Sequence, residues 1–97
     1  MPTQSVYVIK NQYTDIPSTF TIPANQLLST IIVYSTADEN IEIDFNGNTL
    51  VPSFTIQANV PETVLINKFS LSGSDVVFVS TKPLGILTVI YVLIKVQ

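Results

Sequence analysis

The sequence contains no cysteine, histidine, arginine or tryptophan. Without cysteine there is no disulfide framework, no thiolate nucleophile and no zinc–thiolate centre. Without histidine the usual proton shuttle near neutral pH is missing, and so is the commonest metal ligand. The basic residues are four lysines set against seven acids, for a net charge of −3. That balance lacks the phosphate-neutralising footprint of a nucleic-acid binder. The three glycines are dispersed, so no phosphate-cradling loop can be drawn from them. Charged residues make up only 11% of the chain.

What is present is a core-forming chain of 97 residues, 46% of them hydrophobic. That length matches one domain, residues 1–97, and the composition lies far from the disordered class. Val (12), Ile (12) and Thr (11) make up over a third of it, against three Ala. Branching at Cβ costs rotamer freedom on a helix and packs well on a pleated sheet. No basic-then-apolar segment reads as a secretory signal, so the expectation is synthesis in the cytoplasm of a host. The most apolar stretch, Leu84 to Val96, is too short to span a bilayer as a helix and reads as a strand.

Period-two runs separated by Pro, Gly and Asn cover nearly the whole chain. Strands are expected at Gln4–Lys10, Thr19–Ile22, Ser29–Ser35, Ile41–Phe45, Asn48–Val51, Ser53–Gln57, Thr63–Ile66, Lys68–Leu71, Asp75–Thr81 and Ile86–Val96, some of these merging. Asn46–Gly47 is a type I′ hairpin signal, and Pro52 should break or bulge the strand that follows. No window carries the spacing of an amphipathic helix; Ala24–Leu28 is one turn at most. The prediction is an all-β antiparallel sandwich of about eight strands, jelly-roll-like, with no significant helix.

Ile41–Phe45 alternates cleanly, with three apolar residues on one face and two carboxylates on the other. The last strand does not alternate: Ile86, Ile90, Val92 and Ile94 are interleaved with Leu87, Val89, Tyr91 and Leu93. The segments Asp75–Thr81, with Val76 and Phe78 against Val77 and Val79, and Ile31–Tyr34 share this two-sided character. Two layers supply one interior, so the second face must be covered by loops or by a partner. The expected partner surface is Tyr34, Val77, Val79, Leu87, Val89, Tyr91 and Leu93. Burying four of these at about 100 Å² each gives about 10 kcal/mol of gross driving force.

Catalytic readings are weak. Asp38, Glu39, Glu42 and Asp44 form a carboxylate cluster, but it lacks the spacing of a calcium loop and reads as a solvated face. Glu42 and Asp44 have no aromatic sugar platform nearby for glycoside hydrolysis. No base is available to activate a serine or threonine. The expectation is a protein that is not an enzyme and uses no metal or cofactor. Tyr13 and Asp15, in the polar segment Asn11–Asp15, are a possible ligand loop.

A short β chain free of Cys and His and rich in Ser, Thr and Asn resembles the small virion proteins of bacterial viruses. The segments Thr19–Ala24, Ala58–Ile66 and Ile86–Val96 are similar to single jelly-roll capsid, decoration and fibre-head modules. That resemblance implies a virion location, self-assembly into trimers or pentamers, contacts with other virion proteins and no catalysis. The acidic balance argues against contact with a packaged genome, and no membrane span is expected. The competing reading is a carbohydrate- or receptor-binding sandwich using the loops Asn11–Asp15, Thr36–Asn40 and Ser72–Asp75.

Overall fold

The structure is a computed structural model that describes residues 4–15, 17–79 and 82–96. Eight strands follow one another: β1 (Gln4–Tyr13), β2 (Ser18–Thr21), β3 (Gln26–Ser35), β4 (Glu39–Phe45), β5 (Asn48–Ile56), β6 (Glu62–Ser70), β7 (Val76–Val79) and β8 (Leu87–Val96). They form two four-stranded sheets, β1-β8-β3-β6 and β2-β7-β4-β5, with every pairing antiparallel. Only β4 and β5 are joined as neighbours in one sheet; every other connection crosses to the opposite sheet. This is the strand order of a jelly roll, as the sequence predicts. The expected continuation of β7 through Ser80 and Thr81 lies outside the described residues.

The interruptions in the sequence pattern are absorbed as bulges, one of the two outcomes expected at Pro52. Pro52 does not end a strand. Ile41 pairs with Phe54 and Ile43 with Val51, so Pro52 and Ser53 together oppose Glu42. Proline is tolerated there because β5 is an edge strand and the extra residue is unpaired. Asn67, at φ +52°, likewise joins Thr63–Ile66 to Lys68–Ser70 in a single β6. Asn25, at φ +59°, makes the turn into β3, so Leu27 and Leu28 are strand rather than helix. Asn46 (φ +51°) and Gly47 (φ +83°) form the anticipated β4–β5 turn.

Between the sheets lies a core of Ile22, Leu28, Ile31, Val33, Ile41, Ile43, Ile56, Val77, Val79, Leu87, Val89, Tyr91 and Leu93, each essentially without exposed surface. Tyr91 is the largest of these, and its ring stacks on Phe20 at 4.3 Å between centroids. Its hydroxyl is hydrogen-bonded to Ser18 Oγ at 2.5 Å, which satisfies two polar atoms deep in the interior. Burial pushes the Tyr91 phenol well above the ordinary tyrosine range; the Ser18 hydrogen bond opposes this and the nearby Tyr13 reinforces it.

Candidate functional site

The register shows which residues share each face. Val6, Val8, Lys10 and Gln12 of β1 pair with Ile94, Val92, Ile90 and Thr88 of β8. Those β8 residues pair in turn with Leu27, Thr30, Ile32 and Tyr34 of β3. Leu27, Thr30 and Ile32 pair with Phe69, Leu65 and Thr63 of β6. Partners across a ladder point to the same side, so these residues form the outer face of the β1-β8-β3-β6 sheet. Ten of these fifteen residues are apolar or aromatic, and the row Val6, Ile94, Leu27 and Phe69 is apolar from one edge to the other. Val6 and Val8 are each 63% exposed and Leu65 is 74% exposed, while Ile90, Val92, Ile94, Leu27, Ile32 and Tyr34 are half-buried. Lys10 is its one charged side chain among the described residues.

Strands about 4.8 Å apart with a rise of about 3.3 Å per residue give this face a footprint of about 600 Å². That sits at the upper limit of what ordinary monomers leave exposed. Val60, Leu71, Leu84 and Ile86 are also exposed, but they are scattered over loops. The opposite outer face, on β2-β7-β4-β5, is of another kind. It presents Thr19, Thr21, Asn40, Glu42, Asp44 and Thr55 around a half-buried Phe78.

The residues expected at the partner surface must therefore be corrected. Val77, Val79, Leu87, Val89, Tyr91 and Leu93 fill the interior, where no second molecule can reach them. Tyr34 alone of that set lies on the outer face. The physical reason is parity. Slipping a strand by one residue exchanges its two faces, and β8 is apolar on both, so its pattern carries no information on which faces inward. The two-sided pattern is real, and on β7 and β8 the side expected to face a partner is the one that faces the core, whereas Tyr34 on β3 faces out as expected.

The expected ligand loop also changes. Asn11, Gln12 and Tyr13 belong to β1, and Tyr13 packs against the core. Asp15 is exposed and lies 3.8 Å from Lys82 Nζ. The carboxylate cluster is dispersed. Asp38 accepts a hydrogen bond from the Ala58 N–H at 2.8 Å. Glu39 is only 3% exposed; it accepts from Ser35 Oγ at 2.5 Å and from the Leu84 N–H at 2.7 Å, tying the 82–85 turn to β4. Its parity with Ile41, Ile43 and Phe45 was the signal that marks it as inward-facing. Asp75, in the 72–75 turn, accepts from Asn46 Nδ2 at 2.9 Å. Among the described residues no three carboxylates converge, and these loop acids are engaged in holding turns together. No helix among them is long and apolar enough to cross a membrane.

No family model and no curated protein matches the chain. Among solved structures it is similar to the coat protein of Tobacco streak virus, solved as a dimer. That likeness has a TM-score of 0.53 at 8% identity and covers 95% of this chain and 84% of that one. A family two carbohydrate esterase from Cellvibrio japonicus aligns over 98% of this chain and 34% of its own, at 14% identity and a TM-score of 0.44. Of the two, the coat protein is close enough to speak to the fold, and at that identity it speaks to the fold alone.

Proposed function

We propose that this chain is a non-catalytic structural protein that assembles with copies of itself through the outer face of the β1-β8-β3-β6 sheet, as a component of a virion. One observation carries this reading: that face is apolar across all four strands and holds a single charge, while the opposite outer face is polar and acidic. An apolar face of this size exposed to water marks a contact surface. Two such faces together would bury about 1,200 Å², within the range of specific interfaces. A sheet face that meets its own copy does so about a two-fold axis. The proposed unit is thus a dimer, in place of the trimer or pentamer that the resemblance to small virion proteins implies. The jelly-roll topology shared with a viral coat protein and the virion-like composition support the assignment to a particle.

The test is sedimentation of the purified chain and of a Leu65→Lys/Phe69→Lys variant. Both positions are exposed on β6, so the substitutions leave the core intact. The wild-type chain should be oligomeric at micromolar concentration and the variant should lose the face contact and sediment at a lower mass, with the same far-UV circular dichroism. A wild-type chain that sediments as a monomer at about 100 μM, well above the micromolar Kd of a modest interface, would overturn the reading.

A further inference from the structure

A two-sheet sandwich has four edge strands, here β1 and β6 in one sheet and β2 and β5 in the other. Exposed edges offer unpaired backbone donors and acceptors, and proteins blunt them with short strands, proline, bulges or charges. Three of these edges carry such a device. β2 is four residues long. β5 contains Pro52 within its bulge. β6 is bulged at Asn67 in the left-handed region and carries Glu62 and Lys68. β1 has only the least of them, a single charge at Lys10. It runs ten residues, pairs with β8 without a register shift, contains no proline or acid, and carries only Lys10.

β1 is also the edge where apolar side chains stand uncovered on both faces. Val6 and Val8 point outward. Tyr7 and Ile9 point inward, beside Leu93 and Tyr91, yet remain 43% and 37% exposed. The short β2 does not extend far enough to cover them. A strand docking on this edge must therefore be apolar on both faces, and β1 itself has that pattern.

We infer that β1 pairs edge to edge with β1 of a second copy, antiparallel about a two-fold axis near Tyr7 or Val8. With the axis at Tyr7, Val6 lies opposite Val8 and Ile9 opposite Ser5; with it at Val8, Ile9 lies opposite Tyr7. Neither register sets like charges against each other, and both place β-branched and aromatic residues across the ladder, where such pairs stabilise. The two four-stranded sheets then become one of eight strands, and the apolar outer face doubles in width. This contact shares with the proposed function only the identity of the partner. Edge pairing and face packing use different surfaces, so each protomer gains two independent two-fold contacts, enough to link copies into a chain or a closed ring.

The chain's lack of cysteine provides the test. Single cysteines are placed at Ser5, Val6, Tyr7, Val8 and Ile9, with Thr55→Cys on β5 as control, and oxidised at micromolar protein. In a two-fold antiparallel ladder one residue faces its own copy with Cα atoms about 4.5–5.5 Å apart, within disulfide reach. One β1 position should therefore form covalent dimer about tenfold faster than its neighbours and the control. The series is repeated in the Leu65→Lys/Phe69→Lys background, and persistence of the peak there supports edge pairing on its own. A uniform rate along β1, or a peak that vanishes in that background, would overturn it. A peak in a chain whose face does not associate would instead overturn the face reading and leave this one standing.

Discussion

Tyr91 shows what the interior demands of a single residue. A sandwich this small has room for one large aromatic at its centre, and a phenol placed there must find a partner for its hydroxyl. Ser18 provides it from the opposite sheet, and Phe20 covers the ring. The buried phenol holds its proton far more tightly than in the unfolded chain, where it titrates near pH 10. Its contribution to stability is therefore complete below about pH 10 and is lost as the pH rises above that value, because the unfolded state ionises first. A Tyr91→Phe variant should cost about 1 kcal/mol at pH 7, through the orphaned Ser18 hydroxyl. It should also lose less melting temperature than the wild type between about pH 9 and about pH 11. Parallel pH profiles for the two proteins would show that Tyr91 is not the group responsible. Nothing in the local sequence distinguishes Tyr91 from Tyr34. Both sit in two-sided apolar runs, yet one faces the core and the other faces out, because the faces are assigned by pairing partners distant in sequence.

At the scale of elements, what was legible from the sequence was whatever turn chemistry and local alternation encode. Ile41–Phe45 shows one face only, and its inward residues are the ones its pattern implies. Asn46–Gly47 gives the hairpin because two successive residues must adopt positive φ. The strand breaks were less legible, since Pro52 and Asn67 disturb the pattern in sequence while the ladder absorbs each as a bulge. The other two asparagines at positive φ, Asn25 and Asn59, likewise depend on asparagine's tolerance of the left-handed region. The hairpin allows a clean test. A Cβ on Gly47 would meet no atom within 4 Å, so Gly47→Ala adds no clash and isolates the cost of its positive φ. That cost should be about 1 kcal/mol, read as a lower urea midpoint with unchanged slope. Gly85→Ala should cost more for the opposite reason. Gly85 is not at positive φ, but its Cβ would lie 2.5 Å from Thr36 Oγ1 and 3.1 Å from the Ala37 backbone nitrogen. If Gly47→Ala costs nothing, conformational strain at the hairpin is not what the Asn-Gly pair relieves.

The whole molecule is asymmetric in a way that single strands do not reveal. One outer face is a broad apolar surface with Lys10 at one end, and the other carries Glu42 and Asp44 among hydroxyls and amides. The sequence disclosed that apolar surface was in excess; where the excess lies followed only once the strand order was known. The asymmetry also dictates how assembly responds to conditions. Contact through the apolar face gains its free energy from released water, which weakens on cooling, so the oligomeric fraction at fixed concentration should fall between about 30 and about 5 °C. A face with one lysine has little charge to screen. Raising sodium chloride from about 50 to about 500 mM should therefore change the dissociation constant by less than about threefold, and in the direction of tighter association as the repulsion of two acidic chains is damped. Sedimentation equilibrium across that grid of temperature and salt checks both trends. A tenfold weakening with salt would mean that charged side chains make the contact. Since the acids on an outer sheet face among the described residues are the half-buried Glu42 and Asp44, such a result would move the interface to the opposite side of the molecule.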